Sequence, residues 1–323
     1  MTSPTVLVTR RLPAQVETTL QRVYGATLST DDHPLGRDEL ARALCVYDII
    51  LSTLTDRLTR DVLSAPDRRT RLLANFGVGT NHIDLAAARE LGLAVTNTPG
   101  VLTEDTADLT ILLMLGVARR VTEGDRELRS GGWTGWRPTH LLGTRIAGKS
   151  LGVVGMGRIA RAVARRASQG FGMTVRYWSR RRLSRDEESA LHVSWCATLP
   201  QLLQASDVVS LHCPATPDTF HLINAQALEH MQPHAFLINT SRGDVVDEEA
   251  LVDALQRGAL GGAALDVFEH EPAIPPGLLA LPNVVMLPHL GSATLEARVA
   301  MGECALRNIA AFVAGHDLPD RVA

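Results

Sequence analysis

The sequence predicts an α/β protein built on parallel sheets and divided into two domains. Three observations carry that expectation. Short apolar runs alternate with helical stretches along most of the chain, the pattern of a parallel sheet covered on both faces. A length of 323 residues leaves room for two domains. From Leu151 the chain reads LGVVGMGRIARAVARR, a buried strand, a glycine turn and a helix in immediate succession.

In chain order, Thr5 to Thr9 reads as a strand and Arg11 to Tyr24 as a helix whose first turn is marked by Pro13. Strand and helix then alternate: Val46 to Ser52, Asp56 to Ala65, Arg71 to Asn75, Leu85 to Leu91, and a last strand at Ala94 to Asn97. This first α/β unit covers about 1–99. Thr98-Pro99-Gly100 breaks the pattern, and one long helical stretch follows from about Thr103 to Ser130. The glycine-rich loop Gly131 to Gly135, flanked by Trp133 and Trp136, belongs either to an interface or to packing between domains. Further strands are expected at Val175 to Trp178, Val208 to His212, Phe236 to Asn239, Ala263 to Val267 and Val284 to Leu287. From Gly291 the tail is helical, and a lone terminal helix needs a partner face, so it is expected to cross back to the first domain. The expected division is 1–99 with 290–323, and 100–289, with a two-fold dimer interface at about 103–140 because symmetric dimers are the commonest oligomers.

Composition narrows the function. A hydrophobic content of 45%, 21% charged residues and a net charge of -3 describe an ordinary globular chain and give no support to nucleic-acid or membrane-surface binding. Cys45, Cys196, Cys213 and Cys304 are scattered without C-x-x-C spacing, which suggests a reducing compartment and no structural zinc. MTSPTVLVTRR lacks the apolar core of a signal peptide, and the run Leu109 to Ala118 is too short to span a bilayer. A cytoplasmic location is the resulting expectation.

Strand, glycine turn and helix in that order are what a pyrophosphate needs. Gly155 allows the tight turn, Gly157 lets the backbone approach phosphates, and the helix N-terminus offers unpaired N–H groups; Ala160 replaces the third glycine of G-x-G-x-x-G. In NAD-specific domains an acid about 20 residues past the glycines binds the adenosine ribose hydroxyls. Here the strand ends in Ser179-Arg180-Arg181-Arg182 with no acid. Ser179 and Arg180, with Arg181 in reserve, can instead hold a 2′-phosphate, so NADP(H) is the expected cofactor and NAD(H) the alternative.

Three chemically active residues follow three of the later strands: Arg242 after FLINTS, Glu271 past ALDV, and His289 after VVMLP. In a parallel sheet all three project into one crevice, which also holds the cofactor. His289 can give a proton to the alkoxide left by hydride transfer to a ketone. Glu271 beside it would favour the proton-bearing imidazole and fix the ring, and Arg242 can grip a 2-oxo acid's carboxylate or polarise its carbonyl. Asp266 is either a second carboxylate near the nicotinamide or a strand-end cap.

GMGRIA, INTSRGDVVDEEAL, ALDVFEHEP and LPHLGSAT, with NFGVGTNHIDL and NTPGVLTEDTAD in the first half, resemble the D-isomer-specific 2-hydroxy-acid dehydrogenase family in order and spacing over nearly the whole chain. The resemblance implies two Rossmann-like domains, one flavodoxin-like and one dinucleotide-binding, with the active site in the cleft between them. It also implies a homodimer, a small 2-oxo or 2-hydroxy acid as substrate, and Arg242, Glu271 and His289 as the catalytic set. By the same resemblance Val78 and Gly79 offer backbone N–H groups to the substrate carboxylate. The cofactor contacts become Thr106, Gly155, Gly157, Arg158, Ile159, Cys213, Pro214, Thr240, Ser241, Asp266 and Gly291. GGWTGWRPTHLLG looks most like the glyoxylate/hydroxypyruvate reductase branch, in which Trp136 would reach a neighbouring subunit's active site. Val78 stands where a phosphite-oxidising branch has lysine. Other readings are a dehydrogenase of a larger D-2-hydroxy acid, a nucleotide-sensing scaffold like the C-terminal-binding corepressors, and a plain nucleotide-binding fold.

Overall fold

The computed structural model describes residues 4–323. Its chain divides into two compact units, one running to Leu102 and joined by Ala293–Ala323, the other Thr103–Ser292. Among the described residues each unit is built on one parallel sheet.

In the first unit the sheet runs β1 (Val6–Val8), β2 (Ile49–Ser52), β3 (Leu72–Asn75) and β4 (Ala94–Thr96), in that order. The residues of β2 and β3 are all buried because alternate side chains enter cores on opposite faces. Ile49, Leu51, Leu72 and Ala74 meet Val16, Leu20 and Met301 on one face; Ile50 and Leu73 meet Leu40, Leu44 and Val62 on the other. The tail is helical over Leu295–Ala314 and packs in this unit, where a β-carbon on Gly302 would strike Val16.

Several boundaries differ from the sequence reading. A helix at Arg37–Val46 is additional; the Glu39 carboxylate accepts from the Gly36 N–H at 2.8 Å, a capping contact that the run of polar residues hides. Val46 closes that helix, so β2 starts only at Ile49. The helix expected over 56–65 shrinks to Arg60–Leu63, because Asp56 is buried as an acceptor for the Thr9 hydroxyl and the Thr53 N–H.

In the second unit the strands are β5 (Ser150–Val154), β6 (Thr174–Trp178), β7 (Val193–Trp195), β8 (Val208–Leu211), β9 (Phe236–Asn239), β10 (Gly262–Leu265) and β11 (Val284–Met286). Their order is β11-β10-β9-β8-β5-β6-β7. The chain builds outward from β5 through β6 to β7, a short strand that the sequence reading missed, then returns to add β8 on the other side of β5. The strand order therefore reverses between β5 and β8, where open parallel sheets leave a crevice at their carboxyl ends.

The stretch read as one helix over 103–130 is two, Thr103–Ala118 and Val121–Arg129. Arg120 between them has φ 55°, and the Ala118 carbonyl accepts from the Thr144 N–H at 2.7 Å rather than continuing a helix. Gly143 is pressed so closely on Ala118 that a β-carbon there would overlap its carbonyl. No described helix is long and apolar enough to cross a membrane.

Candidate active site

Six loops carry candidate residues at the carboxyl edge of the second unit's sheet, those after β5, β6, β8, β9, β10 and β11. Gly155 follows β5 with φ 88°, and a β-carbon would lie 2.8 Å from the His212 carbonyl at the end of neighbouring β8. Both the left-handed backbone and that approach require glycine. Gly157 caps the helix Arg158–Phe171, which has no side-chain cap and no acid in its first turn. A β-carbon on Gly157 would enter open space, and Arg158 beside it is exposed. An uncapped helix N-terminus facing an open cradle fits a dinucleotide's diphosphate. Ala160 is fully buried under the helix and Ile159 is half-buried.

After β6 the three arginines separate. Arg182 lies over the Trp195 ring and pairs twice with Glu188 at 2.9 Å. Arg180 and Arg181 are exposed; Arg180 sits 3.6 Å from Asp218. The Ser179 hydroxyl donates to the Arg181 carbonyl at 2.6 Å, closing the turn. After β8, Cys213 is buried and Pro214 exposed. Burial raises the Cys213 thiol to about 11, which keeps it neutral.

His289, Glu271 and Arg242 follow β11, β10 and β9, three adjacent strands. His289 Nδ1 lies 2.9 Å from Glu271 Oε2, and Glu271 Oε1 accepts from the Phe268 N–H at 3.0 Å. Burial pushes the Glu271 carboxyl up, but His289, the Phe268 amide and Arg242 outweigh it and hold it below the usual carboxylate range. Among the described residues the Arg242 guanidinium makes one hydrogen bond, from Nη1 to the Ser241 carbonyl at 2.6 Å. Burial lowers its guanidinium despite the pull of Glu271 and Asp244, so Arg242 is a cation short of counter-ions with donors to spare.

His289 has φ 56°, a left-handed conformation uncommon outside glycine. Asp266 holds it there. The His289 N–H donates to the Asp266 carbonyl at 2.9 Å, and the carboxylate accepts from Leu290 N–H at 2.6 Å and Gly291 N–H at 2.8 Å. Both carboxylate oxygens thus accept backbone amides, as a strand-end cap does. Its carboxyl is raised, chiefly by burial. Thr106 adds a second clip, donating its hydroxyl to the Gly291 carbonyl at 2.9 Å. Thr110 and Thr240 share a hydrogen bond at 2.9 Å, and the half-buried Ser241 donates to Asn239 Oδ1.

Gly243 is the residue the sequence reading passed over. A β-carbon there would overlap the Phe268 carbonyl and the Glu269 nitrogen, so the Arg242 and Glu271 loops touch backbone to backbone. Its only signal is a glycine directly after the strand-end arginine.

Val78 and Gly79 lie in the first unit, in the turn after β3, with Val78 36% exposed. Trp136 is 82% exposed and Trp133 51%.

Residues 111–291 match the family model for the NAD-binding domain of D-isomer-specific 2-hydroxyacid dehydrogenases. The chain is 43% identical to a glyoxylate reductase of Thermococcus litoralis, over 99% of this chain and 96% of that one. It is 44% identical to a glyoxylate reductase of Korarchaeum cryptofilum with the same coverage. The solved NADPH-dependent glyoxylate/hydroxypyruvate reductase of Sinorhizobium meliloti, in complex with NADP and malonate, superposes with a TM-score of 0.87 at 34% identity, covering 100% of this chain and 97% of that one. The chain belongs to the D-isomer-specific 2-hydroxyacid dehydrogenase family, nicotinamide-dependent oxidoreductases acting on a CH–OH group.

Proposed function

We propose that the chain reduces glyoxylate to its achiral 2-hydroxy acid, or hydroxypyruvate to the D-2-hydroxy acid, with NADPH preferred over NADH. The 2.9 Å contact between His289 Nδ1 and Glu271 carries the reading. It commits one imidazole nitrogen to a carboxylate and leaves Nε2 to exchange a proton with substrate oxygen. A bound reduced nicotinamide supplies the hydride. Arg242 then has spare donors for the carboxylate or carbonyl of the 2-oxo acid, and the Val78 and Gly79 amides hold its carboxylate. As negative charge grows on the carbonyl oxygen, Nε2 delivers its proton, and Glu271 stabilises the cationic ring before transfer. A panel of 2-oxo acids assayed with both reduced nucleotides tests the proposal. Turnover of glyoxylate and hydroxypyruvate above larger acids is expected; no turnover of any 2-oxo acid would favour a scaffold instead.

The preference for NADPH rests on a strand end without an acid and on two exposed arginines free of buried contacts. Arg180→Ala should raise KM for NADPH by roughly tenfold to a hundredfold, the loss of one charge-assisted contact, and leave NADH little changed. Wild-type enzyme with a higher kcat/KM for NADH would overturn this preference.

The same proposal includes a homodimer in a cytoplasmic setting. The exposed Trp133, Trp136, Leu112, Val121 and Leu128 support the first, and four unpaired cysteines the second. Sedimentation should give a dimer at micromolar concentration, and Trp136→Ala should change substrate KM in a dimer that still forms. A monomer would refute it.

A further inference from the structure

The turn after β3 divides its hydrogen bonds in one direction. Asn75 closes the strand and is 1% exposed. Its Nδ2 donates to the carbonyls of Gly77 at 3.1 Å and Gly79 at 3.0 Å. Asn97 Nδ2 donates to the Val78 carbonyl at 2.8 Å, and the Thr98 N–H gives Gly77 a second donor at 3.0 Å. Every carbonyl of the three-residue turn is thus held by a donor. The amides of Val78 and Gly79 donate to no group among the described residues.

Peptide geometry turns this into a directional device. In a planar trans peptide the C=O of one residue and the N–H of the next point opposite ways. Anchoring the Gly77 carbonyl therefore aims the Val78 N–H away from Asn75, and anchoring the Val78 carbonyl aims the Gly79 N–H away from Asn97. Two successive N–H groups held in this way make a concave site for an anion. The Asn75 amide cannot flip without cost, because its NH2 faces two acceptors while Oδ1 meets His82 Nε2 at 2.9 Å. His82 must donate in that contact.

We propose that Asn75, seconded by Asn97, is a positioning residue that holds the Val78 and Gly79 amides as a two-donor cradle for the substrate carboxylate. The inference rests on the reading above that this turn binds the carboxylate. Neither asparagine touches substrate; each acts through a carbonyl it pins.

The test compares glyoxylate with its neutral methyl ester, in wild-type enzyme and in Asn75→Ala, Asn97→Ala and Val78→Pro. Removal of the Asn75 donors should raise KM for glyoxylate by about tenfold or more, the scale of one hydrogen bond to a charged group. Saturating kcat and KM for NADPH should change little, and the ester should be affected far less, so selectivity for the acid over the ester falls. Asn97→Ala should do the same more weakly, and it serves as the reporter if Asn75→Ala does not fold. A raised KM in Val78→Pro with wild-type KM in both asparagine variants would overturn the inference while sparing the carboxylate reading. Unchanged KM in Val78→Pro would sink that reading and the inference with it. Equal losses on acid and ester in the asparagine variants would make their role structural only and equally overturn the inference.

Discussion

His289→Ala should lower kcat for 2-oxo acid reduction by about a hundredfold or more, the usual scale of general acid catalysis. Binding of the reduced nucleotide should persist, because the variant keeps the glycine turn and the helix behind it. Reduction requires the protonated imidazole, so kcat/KM in wild-type enzyme should fall as pH rises. Glu271→Gln removes the carboxylate that favours the proton-bearing ring and should move that fall to lower pH. The sign also runs the other way along the pair. Glu271 lies below the usual carboxylate range in the folded protein, so its contribution to stability is present above the unfolded carboxylate range and is lost as pH drops toward the folded value. A folded His289→Ala variant with wild-type kcat would remove His289 from the mechanism.

Gly243→Ala should be nearly as damaging without touching any reacting group. The added methyl has no room between the two loops, so the backbone at Arg242 or at Phe268 must move. Overpacking of this kind costs about 1–3 kcal/mol or more, because it meets backbone instead of a flexible side chain. A displacement near 1 Å at a catalytic group costs on the order of a hundredfold in rate. Both a lowered Tm and a kcat/KM reduced to that degree are therefore expected. A variant with wild-type rate and melting temperature would mean that the loops tolerate separation.

How much of this was legible in the sequence depends on where the controlling contact lies. The placement of Arg242, Glu271 and His289 at strand ends was readable, since each follows an apolar run, and β9, β10 and β11 are in fact neighbours. Gly155 was readable because its turn is a local demand. The break at Arg120 was not, because it depends on the Thr144 N–H reaching the Ala118 carbonyl from 26 residues away. β7 is three residues long with one exposed side chain, too short to register a period. Asp266 was ambiguous for a related reason. Its type and position suit either a cap or a second carboxylate near the nicotinamide, and the Leu290 and Gly291 amides that it accepts come from a loop 24 and 25 residues further on. Gly243 and Asn75 went unremarked because what they touch is backbone, and a sequence does not announce its own backbone contacts.

The split among the three arginines after β6 bears on how this protein can change. Arg182 is tied to the fold through Trp195 and Glu188, whereas Arg180 and Arg181 reach into solvent. Substitutions at the first threaten folding; substitutions at the other two leave packed interior contacts intact and change chiefly the charge presented beside the cofactor crevice. If the proposed NADPH preference rests on these arginines, it can be altered at two exposed positions without disturbing the contacts of Arg182. A laboratory effort to exchange the preferred nucleotide should randomise 179–181 and leave Arg182 alone.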